Sequence, residues 1–328
     1  MQKLNFSNET LINSWLKKIN DYQRSEVRRS DFAFVFFLRS LALLVILIFV
    51  SLIFYLWNGA LPILKQSGWA FFTGQDWDPN SNQFGALPFI YGTLLTSTVA
   101  LIISAPVAMC ASLFLTEISS ARFAKPFGFL IEMLAAIPSV VYGLWGIFVL
   151  APFVRDYIQP VLGKYFGVLP FFKGPPFGIG VFTAGLILAV MILPTITAVC
   201  REVFLAIPVT LREGVLALGA TRWEMMKTAV LEAGFSGILA AIALGFGRAM
   251  GETMAVTMLI GNRPDISLSL FSPGATMASV IANESPEATS ALHLSSLSAI
   301  GLTLFLVSLA VSGTARLITR LTKKRFGQ

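Results

Sequence analysis

Charged side chains are scarce in this sequence. Asp, Glu, Lys and Arg make up 12% of its 328 residues while 55% are hydrophobic, and the mean hydropathy is +0.76. Soluble domains carry about a quarter charged residues, so the deficit excludes a water-soluble globular chain and leaves a polytopic membrane protein. Histidine occurs once, at His293, and cysteine twice, at Cys110 and Cys200. Both cysteines fall at or near the ends of apolar segments, with no CxxC spacing and no companion histidines, so neither a disulfide framework nor a metal site is implied. A single histidine gives no zinc cluster and no obvious Ser-His-Asp arrangement, and no GxxxxGK(S/T) phosphate loop is present. No cofactor is expected in this chain, nor ATP hydrolysis by it.

Negative charge is the rarer sign, leaving a formal net charge of +7 and a pI near 9.6. Such a surplus can signal nucleic acid, but here the basic residues gather beside apolar segments, where they set orientation and meet anionic membrane lipid. No nucleic-acid partner is expected.

Long apolar runs are what the sequence does have. A spanning helix needs about 20 residues, and six stretches qualify, at 32–57, 90–116, 127–151, 178–200, 234–260 and 292–315. An all-α protein of six transmembrane helices follows. The first stretch is too long for a signal-peptide core and lacks a small-residue cleavage site, so it is expected to be retained. Eighteen Lys and Arg fall on the side of both termini, against five on the other (Lys65, Arg155, Lys164, Lys173 and Arg263), with Arg248 inside a span. The positive-inside rule therefore places both termini in the cytoplasm, with a basic tail at 316–328 and an outer loop at 58–89.

Within the N-terminal segment 1–31, Leu11, Ile12, Trp15, Leu16 and Ile19 recur at helical spacing. This describes an amphipathic helix, lying on the cytoplasmic leaflet or touching a partner subunit. Gly74, Asp76, Asp78, Pro79 and Asn80 form a turn-rich linker after the first span, which reads as the boundary between an accessory first helix and a five-helix core.

The segment joining the fourth and fifth stretches is richer in signals than a connector needs. Pro208 suits the first turn of a helix, Gly219 its left-handed end, and Thr221 with Glu224 a capping box that opens a second helix. A DNA-binding helix-turn-helix is excluded by location, because the unit is tethered at both ends to spanning helices. It can instead fit a socket on a cytoplasmic partner.

Residues 244–261, LGFGRAMGETMAVTMLIG, set Arg248 and Glu252 four residues apart in an apolar, glycine-rich run. A charge at the centre of a spanning helix costs roughly 2.5 to 3.5 kcal/mol, so such residues pair, face the protein interior or line a polar path. In one spanning helix their i, i+4 spacing puts Arg248 and Glu252 on one face, close enough for a charge-assisted hydrogen bond that makes the pair nearly neutral. Gly247 and Gly251 then form a GxxxG step, which Gly245 extends. Two readings stand: a satisfied pair that holds helices together, or an arginine that stabilises a passing oxyanion while Glu252 holds it. Glu132 is a third charge, expected about five residues inside the third span, as a gate residue, as a partner for a neighbouring subunit's arginine, or as a carboxylate reaching interfacial water. Pro138, Gly143 and Pro194 invite kinks or close packing at depth.

Residues 213–219, EGVLALG, resemble the EAA-x-x-x-G loop of binding-protein-dependent ABC transporter permeases. Glu213 and Gly219 match in identity and spacing, Gly214 and Val215 replace the two alanines, and the later Leu-Pro is here Leu231-Glu232. GRAMGETMAVTMLIGN at 247–262, IPSVVYGLWG at 137–146 and LHLSSLSAIGLTLF at 292–305 are similar to the phosphate-specific permease subunits of that family, over residues 91–315. The resemblance implies a type I ABC importer permease domain at 90–315 in a bacterial inner membrane. It implies import of inorganic phosphate taken from an external binding protein, a second similar permease, and an ATPase dimer that holds ATP and Mg. It makes Glu213, Gly219, Ala220, Thr221 and Glu224 the ATPase coupling segment, while Arg248, Glu252 and Glu132 are the candidates for the substrate path. Sulfate, molybdate or phosphonate remain alternative substrates by chemistry, and an ATP-independent anion transporter is the alternative of another class.

Overall fold

The computed structural model describes the backbone of residues 6–325 and the side chains of 31–319 and 321, apart from Ala121. The side chains of the expected amphipathic stripe, Leu11, Ile12, Trp15, Leu16 and Ile19, lie outside those described, as do most of those in the basic tail. The chain divides into two units, residues 1–56 and 57–328. The first is helical throughout its described part, formed by α1 (Phe6–Ser67), whose last turns belong to the second unit.

Among the described residues, six helical segments are long and apolar enough to cross a membrane: Asp31–Ser67, Leu87–Ile118, Ser139–Phe166, Val181–Leu205, Arg222–Met250 and Ala291–Thr319. The first, second, fourth and sixth cover the apolar runs expected to span. After α1 and one helical turn at Ala70–Thr73 comes a ribbon of two-residue strands, β1 (Trp77–Asp78) antiparallel to β2 (Gln83–Phe84). Its turn is held by Asp78, which accepts from the Asn80 amide at 3.0 Å and the Ser81 hydroxyl at 2.7 Å. These donors hold the Asp78 carboxyl below its ordinary pKa. The helix α2 (Leu87–Leu113) carries Pro88 in its first turn, where a missing N–H costs nothing, and runs on through a π turn at Phe114–Ile118.

The third span is not where hydrophobicity alone placed it. Instead of one helix over 127–151, α3 (Ala121–Ala136) stops at Ile137, and α4 (Ser139–Trp145) begins a new segment that continues to Phe166 through two π turns. Pro138 is the cause, because the residue before proline is pushed out of the helical region; Ile137 has φ −67° and ψ 129°. An apolar run has no way to register that one dihedral.

At the centre stands α5 (Val181–Leu205), whose Ile187, Leu188, Ile192, Ile196, Cys200 and Phe204 are all buried. A helix apolar all round belongs inside, and glycines let its neighbours close on it. A Cβ at Gly185 would lie 2.6 Å from Val99 of α2, and Cβ atoms at Gly237 and Gly245 would lie 2.5 Å from Val203 and 2.6 Å from Ile196. The connector after α5 forms α6 (Val209–Ala217), then α7 (Arg222–Met225), which continues through a π turn at Met226–Leu231 into α8 (Glu232–Met250). The second connector helix is thus the start of the fifth span, not a separate short element. That span ends at Met250, not near residue 260; α9 (Met254–Leu259), α10 (Met277–Glu284) and α11 (Ala291–Arg325) follow.

Two ends are distinguished by what they carry. At the hairpin end, the loop after α9 inserts against α2: the Met277 amide donates to Thr93 Oγ1 at 2.9 Å, and Gly261 turns with φ +90°. The lone histidine is buried there, its Nε2 2.8 Å from Glu284 Oε2, while the Trp77 indole donates to the same carboxylate at 2.9 Å. His293 is therefore a structural residue tying the ribbon, α10 and α11 together. At the opposite, linker end lie α6 and its flanking turns.

Gly92 of α2 is seated so closely on this loop that an added Cβ would lie 2.0 Å from the Ala275 carbonyl oxygen. Gly92→Val is expected to destabilise the protein by about 1 to 3 kcal/mol through overpacking, read as a lower Tm of the detergent-purified protein. Gly214→Val, where nothing lies within 4 Å, should leave Tm almost unchanged.

Candidate functional site

Arg248 sits in the last turn of α8, and the chain leaves the helix directly after it, with Gly251 at φ −90° and ψ 0° and Thr253 at φ −108° and ψ −66°. The continuous helix that would bring Arg248 and Glu252 face to face is therefore absent. Glu252 Oε1 instead accepts from the Ala255 amide at 3.4 Å, as a cap on the first turn of α9. Among the described residues, the Arg248 guanidinium has neither an ion pair nor a hydrogen bond, and the side chain is exposed. The expected compensated pair does not form, because i, i+4 spacing is a statement about an unbroken helix.

A second break lies beside this one. The hydroxyl of Tyr142, in the first turns of α4, bridges the α3–α4 break by donating to the Leu134 carbonyl at 2.8 Å. Gly143 allows α9 to approach: a Cβ there would lie 2.5 Å from Met258 Sδ and 3.2 Å from Ala255 Cα. The two discontinuities are thus packed on one another, with one free guanidinium next to them.

The glycines of the expected GxxxG step behave differently from each other. Gly245 packs on Ile196, but Gly247 has nothing within 4 Å and Gly251 meets only the backbone of its own turn. Gly247 and Gly251, with exposed Leu244 and Arg248, form a face of α8 that the described residues leave uncovered. Glu132 does not join the group. It lies on α3, outside the six spans, and its carboxylate is 3.6 Å from Arg201 of α5, at a side-chain exposure of 60%. Such a long, exposed pair contributes little.

At the linker end, Gly219 adopts φ +84° after α6, and its amide bonds the Leu216 carbonyl at 3.0 Å. The Thr221 amide donates to Glu224 Oε2 at 2.8 Å and the Glu224 amide to Thr221 Oγ1 at 3.3 Å, so the capping box is complete. Ala220 is the half-buried residue between these two devices, and Glu213 is exposed on α6. Around them Val209, Leu211, Leu216, Leu218 and Trp223 are exposed, Leu218 at 89%. A contiguous apolar surface of this kind marks a docking face.

Sequence reasoning missed Arg212 and Glu117, counting the first only as a positive charge. Arg212 Nη2 lies 2.9 Å from Glu117 Oε1, with side-chain exposures of 15% and 6%. The available signal was that Glu117 is the one charged residue in the whole of Leu87–Ile118.

Residues 108–324 match the family model for the binding-protein-dependent transport system inner membrane component. The chain belongs to that family. The matched residues hold both helix breaks, the α6 surface and the Arg212–Glu117 pair. Curated relatives extend the likeness over most of this inner membrane component. It is 43% identical over 301 residues to the phosphate transport system permease protein PstC of Xylella fastidiosa, covering 90% of this chain and 93% of that one. It is 45% identical over 297 residues to PstC of Pasteurella multocida, covering 89% and 91%. A probable PstC from Methanocaldococcus jannaschii is 34% identical over 274 residues, covering 82% and 87%. Among solved structures, a chain of a bacterial alginate ABC transporter in complex with a periplasmic protein superposes with TM-score 0.59 at 17% identity, covering 88% of this chain and 96% of that one. The MetNI methionine ABC transporter follows with TM-score 0.51 at 15% identity, covering 71% and 93%. At these identities the structures establish the fold alone, an all-α one.

Thr221→Ala removes one half of the capping box, a loss of about 1 kcal/mol. The Glu224 amide should then exchange its hydrogen about fivefold faster, with amides in the centre of α5 unchanged in the same experiment.

Proposed function

We propose that the chain is the permease subunit of an ATP-driven importer of inorganic phosphate in a bacterial inner membrane. The observation that carries this reading is the free Arg248 guanidinium at the α8 break. Its planar donors match phosphate oxygens and its charge persists at any working pH. With Glu252 engaged at α9, that charge is available to an oxyanion, while exposure keeps the contact weak enough for the ion to leave again. The relatives named for phosphate transport, at 34–45% identity, support the choice of phosphate over sulfate, molybdate or phosphonate.

In this reading the uncovered face of α8, with Leu244, Gly247 and Gly251, meets a second, PstA-like permease, and the anion passes between the two. The excess of basic residues on the linker side puts that end and both termini in the cytoplasm. Glu213, Gly219, Ala220, Thr221 and Glu224, with the exposed apolar side chains around them, receive a PstB-like ATPase dimer, on which ATP and Mg are bound and hydrolysed. A PstS-like binding protein delivers phosphate at the hairpin end.

Arg248→Glu should reduce ATP-driven phosphate uptake by at least a hundredfold while the subunit keeps its membrane level and its copurifying ATPase. Uptake near the wild-type rate at a normal membrane level would exclude Arg248 from the path. Sulfate and molybdate added in excess should leave wild-type uptake unaltered; competition by either would name a different substrate.

A β-branched residue at Gly219 meets a left-handed backbone that costs roughly 1 to 2 kcal/mol for L-residues. Gly219→Val is therefore expected to lower the amount of ATPase that copurifies, with the membrane level of the permease unchanged, as measured by quantitative blotting.

A further inference from the structure

The helix α6 has no buried residue of its own. It is joined by the chain to α5 before it and to α7 after it, and Val215 rests partly against the core. It also packs against the π turn Met226–Leu231, and Arg212 ties it to the end of α5 and to the second span. Nη1 donates to the Ile207 carbonyl at 2.7 Å, and Nη2 donates both to the Phe204 carbonyl at 2.6 Å and to Glu117 Oε1 at 2.9 Å. The Phe204 carbonyl is in the last turn of α5, where helices run short of intrahelical donors, and Ile207 lies in the turn that follows α5. Glu117 belongs to the π turn that closes the second span.

Glu117 and α6 are far apart in sequence, with α3, α4 and α5 between them, so no chain connection makes the second span follow α6. The carboxylate is 6% exposed, and a buried charge of this kind is costly without its partner. Pairing and two carbonyl bonds hold the guanidinium in one position. A displacement of α6 is then transferred to Glu117 through a contact that resists both separation and rotation.

The second span leads to the opposite end of the molecule. From Glu117 to Gly92 is about 37 Å along a helix. There Gly92 touches the Ala275 carbonyl and Thr93 accepts from the Met277 amide. The loop after α9 is thereby seated on the far end of the same helix whose near end is held by Arg212.

We infer that Arg212 and Glu117 are a positioning pair that makes the second span follow α6, so that movement imposed at the ATPase-facing surface reaches the hairpin-end loop through α2 as well as through α5 and α8. This rests on the reading of α6 as the ATPase-facing helix. Neither residue touches the transported anion; their effect is on how much transport each hydrolysis produces.

The test uses the complete transporter, with its ATPase and binding protein, in proteoliposomes, and reads phosphate imported per ATP hydrolysed. Glu117→Gln keeps a neutral acceptor of the same shape, and Arg212→Lys keeps the charge but not the forked geometry. Both are expected to assemble at wild-type levels and to hydrolyse ATP within about twofold of wild type. Phosphate imported per ATP should fall at least fivefold. An unchanged ratio in both variants overturns the proposal. So does a loss of uptake and hydrolysis in equal proportion, or loss of the subunit from the membrane in both, since either result assigns the pair a purely structural role. Failure of the transport reading shows elsewhere, as wild-type uptake indifferent to ATP, and that result overturns both.

Discussion

Inside a bilayer there is no water to accept a stray backbone hydrogen bond, so any interruption of a helix has to be repaired by the protein itself. The arrangement of this chain follows from that constraint. At 137–138 the repair is the Tyr142 hydroxyl on the Leu134 carbonyl. At 251–253 it is the Glu252 carboxylate on the Ala255 amide and the Thr253 hydroxyl on the Gly251 carbonyl. With Glu252 occupied in this way, Arg248 has no ion pair or hydrogen bond among the described residues, and the chemistry of the site is a by-product of closing a helix break.

The same constraint explains what could be read in advance. Apolar run length locates spans because it measures transfer into hydrocarbon, and four of the six runs were placed by it. The connector could be read too, since Thr221, Glu224 and Gly219 act through local backbone geometry that neighbours three residues away decide. Pro138 and Gly251 were harder. Pro138 was expected to kink a helix or allow close packing and instead ends one, and Gly251 lies between two charges whose spacing suggested a continuous helix; each matters through dihedrals at one or two residues. Misplacing those breaks moved Glu132 from a span to a surface helix and paired Arg248 with a residue that is engaged elsewhere. Arg212 and Glu117 were beyond reach for another reason: their meeting depends on α2 and α5 packing through Gly185, a tertiary event.

Close packing around α5 also bears on how movement is shared. Glycines at 185, 237 and 245 bring α2 and α8 near enough that side chains interlock with little room for sliding. Displacements of the linker end are then shared among packed helices and not absorbed in loops. The π turns at Phe114–Ile118 and Met226–Leu231 are placed where two of those helices reach the linker end.

The uncovered face of α8 has a consequence for the life of the subunit before it joins its partners. A lone copy in the membrane presents Arg248, in the last turn of α8, to lipid or to a water defect drawn in around it, which is unfavourable for a charged side chain. Relief comes only when another protein surface covers that face. The residue assigned to the cargo is therefore also a measure of loneliness: an orphaned copy is the less stable one in its own bilayer, which gives cellular quality control a physical basis for telling unassembled subunits from finished transporters.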